Sequence, residues 1–393
     1  VSDNPWDDWT PGVLSKSQAR KLCEAGHISG ISKLEEAIDH SALDLTLSNE
    51  CYFMDSGAVK PFGPRYKHLI TQQRLAQRLE PRTDGTFLLK ERETYLFKLA
   101  ERLEDLDHSG IHGQATAKSS VGRVDVLARL IVDGMDGYES FSPEKVGNGD
   151  LYLEVTPLTF PVSVKEGISL TQLRFFYGSP RDCEIRGREA YKTFIKGSTS
   201  DDGTLSVDLT PTDICGHSIV AFRAHNEADR EDAAIPLWKG GSHPDPCRFW
   251  RFVRCDQNNR LSLQKNLFYI LRSKERIALP GGVAVYCRAI DETFGEMRIH
   301  YAGFVHPFFG RTRSDNTIGT PLIFEVRGHD VHVSLKDAEK MARLTFYRMS
   351  EDAESAANPE RKFYENQTLQ LSKFFGEWPE RVTIDEDGTV TPA

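Results

Sequence analysis

The sequence predicts a mainly β protein of barrel or jelly-roll type, built as two copies of one unit with a few short helices. Three observations carry that expectation. First, the chain repeats itself: residues 151–176 (LYLEVTPLTFPVSVKEGISLTQLRFF) align without a gap with residues 322–347 (LIFEVRGHDVHVSLKDAEKMARLTFY), at an offset of 171. Self-similarity at a fixed offset marks two copies of one supersecondary unit. Second, from residue 86 onward short alternating or apolar runs are separated by turn residues, the texture of a sandwich or barrel. Third, helical spacing is confined to short stretches.

Taken in order, residues 1–12 read as an arm that Trp6 and Trp9 can pin to a surface. In SKSQARKLCEAGHISG, Ser15 can N-cap a short helix and Gly26 can stop it. SALDLTLSNECYFM (41–54) alternates as a strand, and HLITQQRLAQRLEPR (68–82) carries helical spacing. Strand-like runs follow at 86–106 and 124–141, then the first repeat unit. The polar run 196–204 (KGSTSDDGT) reads as a linker between domains at 1–196 and 205–393. The second half replays the order: LSLQKNLFYILRSKERIALP (261–280) answers FLLKERETYLFKLAERLEDL (87–106), matching Glu101-Arg102-Leu103 to Glu275-Arg276-Ile277. A polar, partly helical tail is expected from 351.

Composition narrows the function. A net charge of −9 argues against a nucleic-acid partner, because phosphate neutralisation needs a clustered basic surface. No run approaches the roughly 20 apolar residues that cross a bilayer, and the acidic start lacks a signal-peptide pattern. The seven scattered cysteines include no C-x-x-C pair, which fits reduced thiols in the cytoplasm.

Four groups of residues can carry chemistry. Lys118-Ser119-Ser120-Val121-Gly122-Arg123 puts two cations, two hydroxyls and a glycine within six residues, a cradle for phosphate oxygens. It is not a Walker loop, since Ala117 stands where the second glycine belongs. Glu154 and Glu325 each sit inside an apolar strand, where partial burial raises a carboxylate's proton affinity and suits it to proton transfer. Asp136 lies in the turn DGMDGYES, and the tail Lys362-Phe363-Tyr364-Glu365-Asn366-Gln367 mixes cation, amide and aromatic groups as a lid over an anion would. Each group also has a plain surface, turn or ion-pair reading.

In their order along the chain, these segments resemble the deoxycytidine triphosphate deaminase family of the dUTPase-like superfamily. GVLSKSQARKLCEAGHISG and SALDLTLSNECYF look like the family's opening helix and S-x-D-x-x-L strand. KSSVGR stands at R-S-S-x-x-R, DGMDGY near I-D-P-G, DLYLEVTP at G-x-x-x-L-E-x-x-N, and KFYENQTLQLS at K-Y-x-N-Q-x-G-x-x-x-S. The resemblance implies two tandem domains of the dUTPase-like β-clip, a distorted jelly-roll or barrel. It also implies hydrolysis of dCTP to dUTP and ammonia, supplying dUTP and dTTP synthesis. A glutamate, Glu154 or Glu325, would shuttle the protons, with Ser119 and Arg123 beside it. Lys118, Ser120, Asp136, Lys362, Tyr364 and Gln367 would bind substrate. Zinc is not expected, because the H-x-E…P-C-x-x-C signature of zinc nucleobase deaminases is absent; Mg2+ would ride on the triphosphate.

Departures from the family pattern point to division of labour. Lys118 replaces the first arginine, so charge is kept and the bidentate fork is lost. In the second copy, Arg288 to Thr293 (RAIDET) replaces Ser-Ser-x-x-Arg, and His306 stands where the turn Asp belongs. The first copy has no K-Y-x-N-Q tail. Single-domain relatives are homotrimers that build each site from two subunits. Here the expectation is a composite site joining Lys118–Arg123 to Glu325 and the tail, in a homo-oligomer for which the family favours a trimer. The rival site is made by first domains alone, with Glu154. A dUTPase, an enzyme with both activities, or an inactive nucleotide-binding regulator are the alternatives to a deaminase.

Overall fold

The computed structural model describes residues 4–63, 65–72, 74–146, 149–197, 202–225, 234–290, 297–299, 303–311, 318–354 and 367–393. The protein is mainly β, as the alternating runs predict. Both repeat units fold alike, strand for strand at the offset of 171: Gly149–Pro157 answers Thr320–Gly328, Val162–Lys165 answers Val333–Lys336, and Ser169–Tyr177 answers Lys340–Arg348. The match extends upstream, where Tyr95–Leu103 answers Phe268–Ile277 and Ile111–Ala117 answers Val283–Ala289.

In the first half an 11-stranded sheet folds on itself around the 13-residue strand Ala42–Met54. One end of that strand pairs with Ser169–Tyr177 and the other with Tyr95–Leu103, the register shifting between Leu47 and Cys51. A bulge that lets one strand serve two sheets turns a barrel corner. Alternation along these strands sends Leu43, Leu45 and Leu47 inward. In the second half, Phe268–Ile277 pairs with Thr320–Gly328, and Val283–Ala289 pairs with Lys340–Arg348.

The halves are joined by more than the linker. Val162 of the first pairs in parallel with Ile235 of the second. Phe160 packs edge-on against Trp250 and Phe375, at ring separations of 5.7 and 6.1 Å, so one apolar cluster runs through both halves. Arg174, fully buried, reaches across from Ser169–Tyr177 to donate to the carbonyls of Val285 (3.0 Å) and Val305 (3.4 Å), and stacks 3.9 Å above the Phe304 ring. Burial lowers Arg174 to about 9, which leaves it charged at neutral pH.

Helix Lys16–Glu24 starts where expected: Ser15 and Gln18 form a reciprocal capping box, and Gly26 follows the end with φ +84. Trp6 of the arm is buried against His27. One expectation fails. The helix placed over 68–82 is Tyr66–Gln72 only; Arg74 takes φ +51, and Ala76–Leu79 becomes a strand. Its register runs from Met54 opposite Ala76 to Cys51 opposite Leu79, so the open edge of the long strand captures residues with helical spacing. Of the tail expected to be partly helical, residues 355–366 lie outside the described residues; farther on, Val382–Ile384 and Val390–Pro392 pair as strands. Of the polar run read as a linker, residues 198–201 lie outside the described residues.

Candidate active site

Arg123 follows the one-turn helix Ser119–Gly122, and its backbone N–H closes that turn on the Ser119 carbonyl at 3.0 Å. The turn exposes Ser119 and buries Ser120 and Arg123. The guanidinium is 4% exposed and points out of the first half into the second. There Arg123 Nε stands 3.7 Å from Glu325 Oε1, and Nη2 donates to Gln367 Oε1 at 2.9 Å. Gln367 Nε2 donates in turn to the Pro321 carbonyl (2.9 Å), which fixes the end of the tail motif to the Glu325 strand. Farther along, Ser372 Oγ donates to the Ser120 carbonyl at 2.6 Å. The Ser-Ser-x-x-Arg loop of one half therefore meets the glutamate and the tail of the other within one chain.

Electrostatics distinguish the two glutamates. Glu325 is 5% exposed and faces Arg123 at a distance too long for a hydrogen bond. Burial pushes its carboxyl up from 4.5 to about 7, with Arg123 opposing the rise. Cys287, on the strand Val283–Ala289, also feels the Glu325 charge, and burial raises its thiol to about 12. A carboxyl poised near neutrality, beside a cation that does not clamp it, can both take and give a proton.

Glu154 is just as buried, at 2%, but its oxygens are occupied. Arg129 donates to Oε1 from both Nε (3.0 Å) and Nη2, and Tyr138 Oη donates to Oε2 at 3.1 Å. Arg129 also stacks over Tyr138 at 4.2 Å, closing the group from within its own half. Both donors come from the turn and strand next to Glu154, so no residue of the second half is needed to satisfy it.

The other expected residues are placed as follows. Lys118 forms an ion pair with Asp44 of the long strand; burial raises Asp44, and Lys118 opposes this. Asp136 is exposed and pairs with Lys145 at 2.9 Å, so its contact is with a surface lysine. Lys362 and Tyr364 lie outside the described residues, as does much of the second copy's Arg288–Thr293 loop. His306 packs its ring 5.5 Å from that of His40. Among the described residues, no group of three or more His, Cys, Asp or Glu is placed to hold a metal ion, and no helix is long and apolar enough to cross a membrane.

Sequence reading missed Asp44, Asp125, Arg129, Tyr138 and Arg327, which pair with or flank the expected residues. Spacing offered a partial signal: Arg327 stands two positions after Glu325 in one strand, where alternation keeps it on the same face; Asp125, in the turn two residues after Arg123, carries no such signal.

Comparison with known proteins follows the same division into halves. A family profile described as the 2'-deoxycytidine 5'-triphosphate deaminase N-terminal domain matches residues 10–179, and one described as the C-terminal domain of the same enzyme matches residues 181–375. Among solved structures, the chain is similar to the crystal structure of 2'-deoxycytidine 5'-triphosphate deaminase from Agrobacterium tumefaciens, at 26% identity and a TM-score of 0.77. That match covers 88% of this chain and 98% of the other. A likeness to an anti-sigma factor domain-containing protein from Clostridium clariflavum, at 10% identity and a TM-score of 0.15, covers 77% of this chain and 90% of that one and carries no argument. No curated protein matches the chain.

Proposed function

The chain belongs to the 2'-deoxycytidine 5'-triphosphate deaminase family, and from that premise we propose that it hydrolyses dCTP to dUTP and ammonia at one composite site per chain, without protein-bound zinc. The observation that carries this reading is the meeting of Arg123, Glu325 and Gln367 across the two halves.

The chemistry requires a water activated for attack on cytosine C4, a proton for ring N3 and a proton for the departing amino group. Glu325 accepts the water proton as a carboxylate and gives it to N3. It then takes the second proton of the tetrahedral adduct and passes it to the amino group, which leaves as ammonia. The atoms balance as dCTP plus water giving dUTP plus ammonia. Arg123 beside Glu325 keeps enough of the carboxyl ionised to start the cycle. Ser119 and Ser120 offer a hydroxyl and backbone N–H groups to the base and phosphates. Lys118 supplies charge on the phosphate side, and Lys362 and Tyr364 would join from the tail. Mg2+ arrives as part of the substrate, chelated by the triphosphate. Glu154, held by Arg129 and Tyr138, serves its own half as an internal ion pair. Because the Ser-Ser-x-x-Arg loop and the glutamate lie in one chain, each subunit of a homo-oligomer would bring a whole site. All seven cysteines are free, which fits work in a reducing cytoplasm.

The test is product analysis with dCTP, dCMP, CTP and dUTP, with and without a zinc chelator. Ammonia and dUTP from dCTP, unaffected by the chelator, is the expected result. Pyrophosphate released with the ammonia would instead show that hydrolysis continues to dUMP. Tight nucleotide binding without ammonia would mean a regulator, and loss of turnover with the chelator would overturn the zinc-free route.

A further inference from the structure

A second pair of opposite charges runs beside the first. Asp125 stands two residues after Arg123, and Arg327 two residues after Glu325. Arg327 Nη2 donates to Asp125 Oδ2 and, at 2.5 Å, to Thr159 Oγ1, while Nη1 donates to the Asn266 carbonyl at 2.6 Å. Thr159 Oγ1 donates to the same Asp125 oxygen at 2.5 Å. Asp125 is fully buried and Arg327 is 8% exposed.

The backbone around Asp125 is equally constrained. Its φ is +60, a left-handed conformation that Asp and Asn adopt more readily than other non-glycine residues. Its N–H donates to the Gly122 carbonyl (2.9 Å), and its carbonyl accepts from Leu158 N–H (2.9 Å). Asp125 is thus bonded to the end of the very turn that carries Arg123. Arg327 shares a strand face with Glu325 by the period-two rule. The pair spans the same interface as Arg123 and Glu325, at the next rung.

A buried ion pair is weak evidence for stability, since desolvation offsets much of the attraction; setting register is its best-attested use. We propose that Asp125 and Arg327 are positioning residues whose pairing fixes the Arg123 turn against the Glu325 strand and so holds the catalytic pair at its working separation. This rests on Glu325 being the proton shuttle. It makes the second pair necessary for rate rather than for substrate affinity, because neither residue belongs to the groups that bind dCTP.

The experiment uses the full chain carrying Asp125→Asn, Arg327→Lys or Arg327→Gln. Asn keeps the shape and tolerates the left-handed backbone; Lys keeps the charge without the fork. Ammonia release is measured as kcat and KM across pH. In parallel, the stability difference between each variant and its Glu325→Gln derivative is followed across pH, which reports the Glu325 proton affinity with no need of turnover. Among the described residues, the groups acting on or feeling Glu325 in these profiles are Arg123 from the turn and Cys287 from the strand Val283–Ala289 of the other sheet. Expected are a kcat loss of about 10- to 100-fold with little change in KM, since small misplacements of reacting groups cost that much. Glu325 should titrate at higher pH as Arg123 moves away, and Arg327→Lys should lie between the parent and Arg327→Gln. A folded Asp125→Asn with parental kcat and an unmoved Glu325 titration overturns the inference. So does an Arg327→Lys no better than Arg327→Gln. If Asp125→Asn does not fold, the two Arg327 variants decide. A parent that releases no ammonia sinks the catalytic reading instead, and the stability profiles still decide the positioning.

Discussion

Glu325→Gln lowers the kcat for ammonia release by about a thousandfold, within the range that a positioned acid–base group supplies, while Glu154→Gln leaves kcat near that of the parent. The contrast follows from what surrounds each carboxyl. Glu325 has one cation at 3.7 Å and a proton affinity raised to about 7. Gln in its place keeps the volume but can neither accept a proton from water nor return one. Glu154 is filled by Arg129 and Tyr138, three hydrogen bonds that leave no room in its role for a water. Its replacement shows in stability: Gln retains an acceptor for Tyr138 but gives up a charge-assisted contact with Arg129, at a cost of about 2 to 3 kcal/mol. Kinetics and urea unfolding of the two variants check both statements. A dead Glu154→Gln beside an active Glu325→Gln would move the site to first domains of neighbouring chains.

The second large effect is in pH. The native carboxyl of Glu325 titrates near 7 against an ordinary 4.5. Between these values the folded chain binds more protons than the unfolded one, so this group's contribution to stability falls as pH rises through the window. Across the full window the change amounts to roughly 3 kcal/mol. Glu325→Gln removes the dependence and should gain on the parent by that order between pH 4.5 and 7.5. Activity runs the opposite way: the ionised carboxyl starts the cycle, so kcat/KM rises with pH and levels off above about 7. The stability profile contains no substrate and isolates the protein group from titration of the triphosphate. A parallel pair of stability curves for parent and variant would show that Glu325 titrates normally.

The duplication was legible because the offset of 171 keeps both the strand pattern and a carboxylate in the same register. The complementary losses were legible too: Ser119, Ser120 and Arg123 survive in one copy and the tail ending in Gln367 in the other, and the structure brings Arg123 and Gln367 together. Which carboxylate does chemistry was not legible. Glu101 and Glu275 form a second repeated pair in apolar strands, and both are consumed by structure. Glu101 accepts from Thr46 N (2.8 Å) and Oγ1 (2.6 Å), and Glu275 accepts from Ser206 N and Oγ at 2.7 Å. Sequence shows that such a residue is buried in a strand; only partners separate a structural acid from an available one. The same holds for Asp125 and Arg327, 202 residues apart and meaningful only once the halves dock. The helix misread over 68–82 has a similar cause, since helical spacing at Ala76–Leu79 yields to a strand edge lying far from it in sequence.

The central claim is that one chain builds one complete site from its two halves. Co-assembly of Arg123→Met with Glu325→Gln, each defective alone, tests it most directly. In mixed oligomers every chain still carries one broken half-site, so the account predicts no more ammonia than the sum of the separate variants. Recovery of activity well above that sum would mean that Arg123 of one chain serves the glutamate of another, and would contradict the single-chain site.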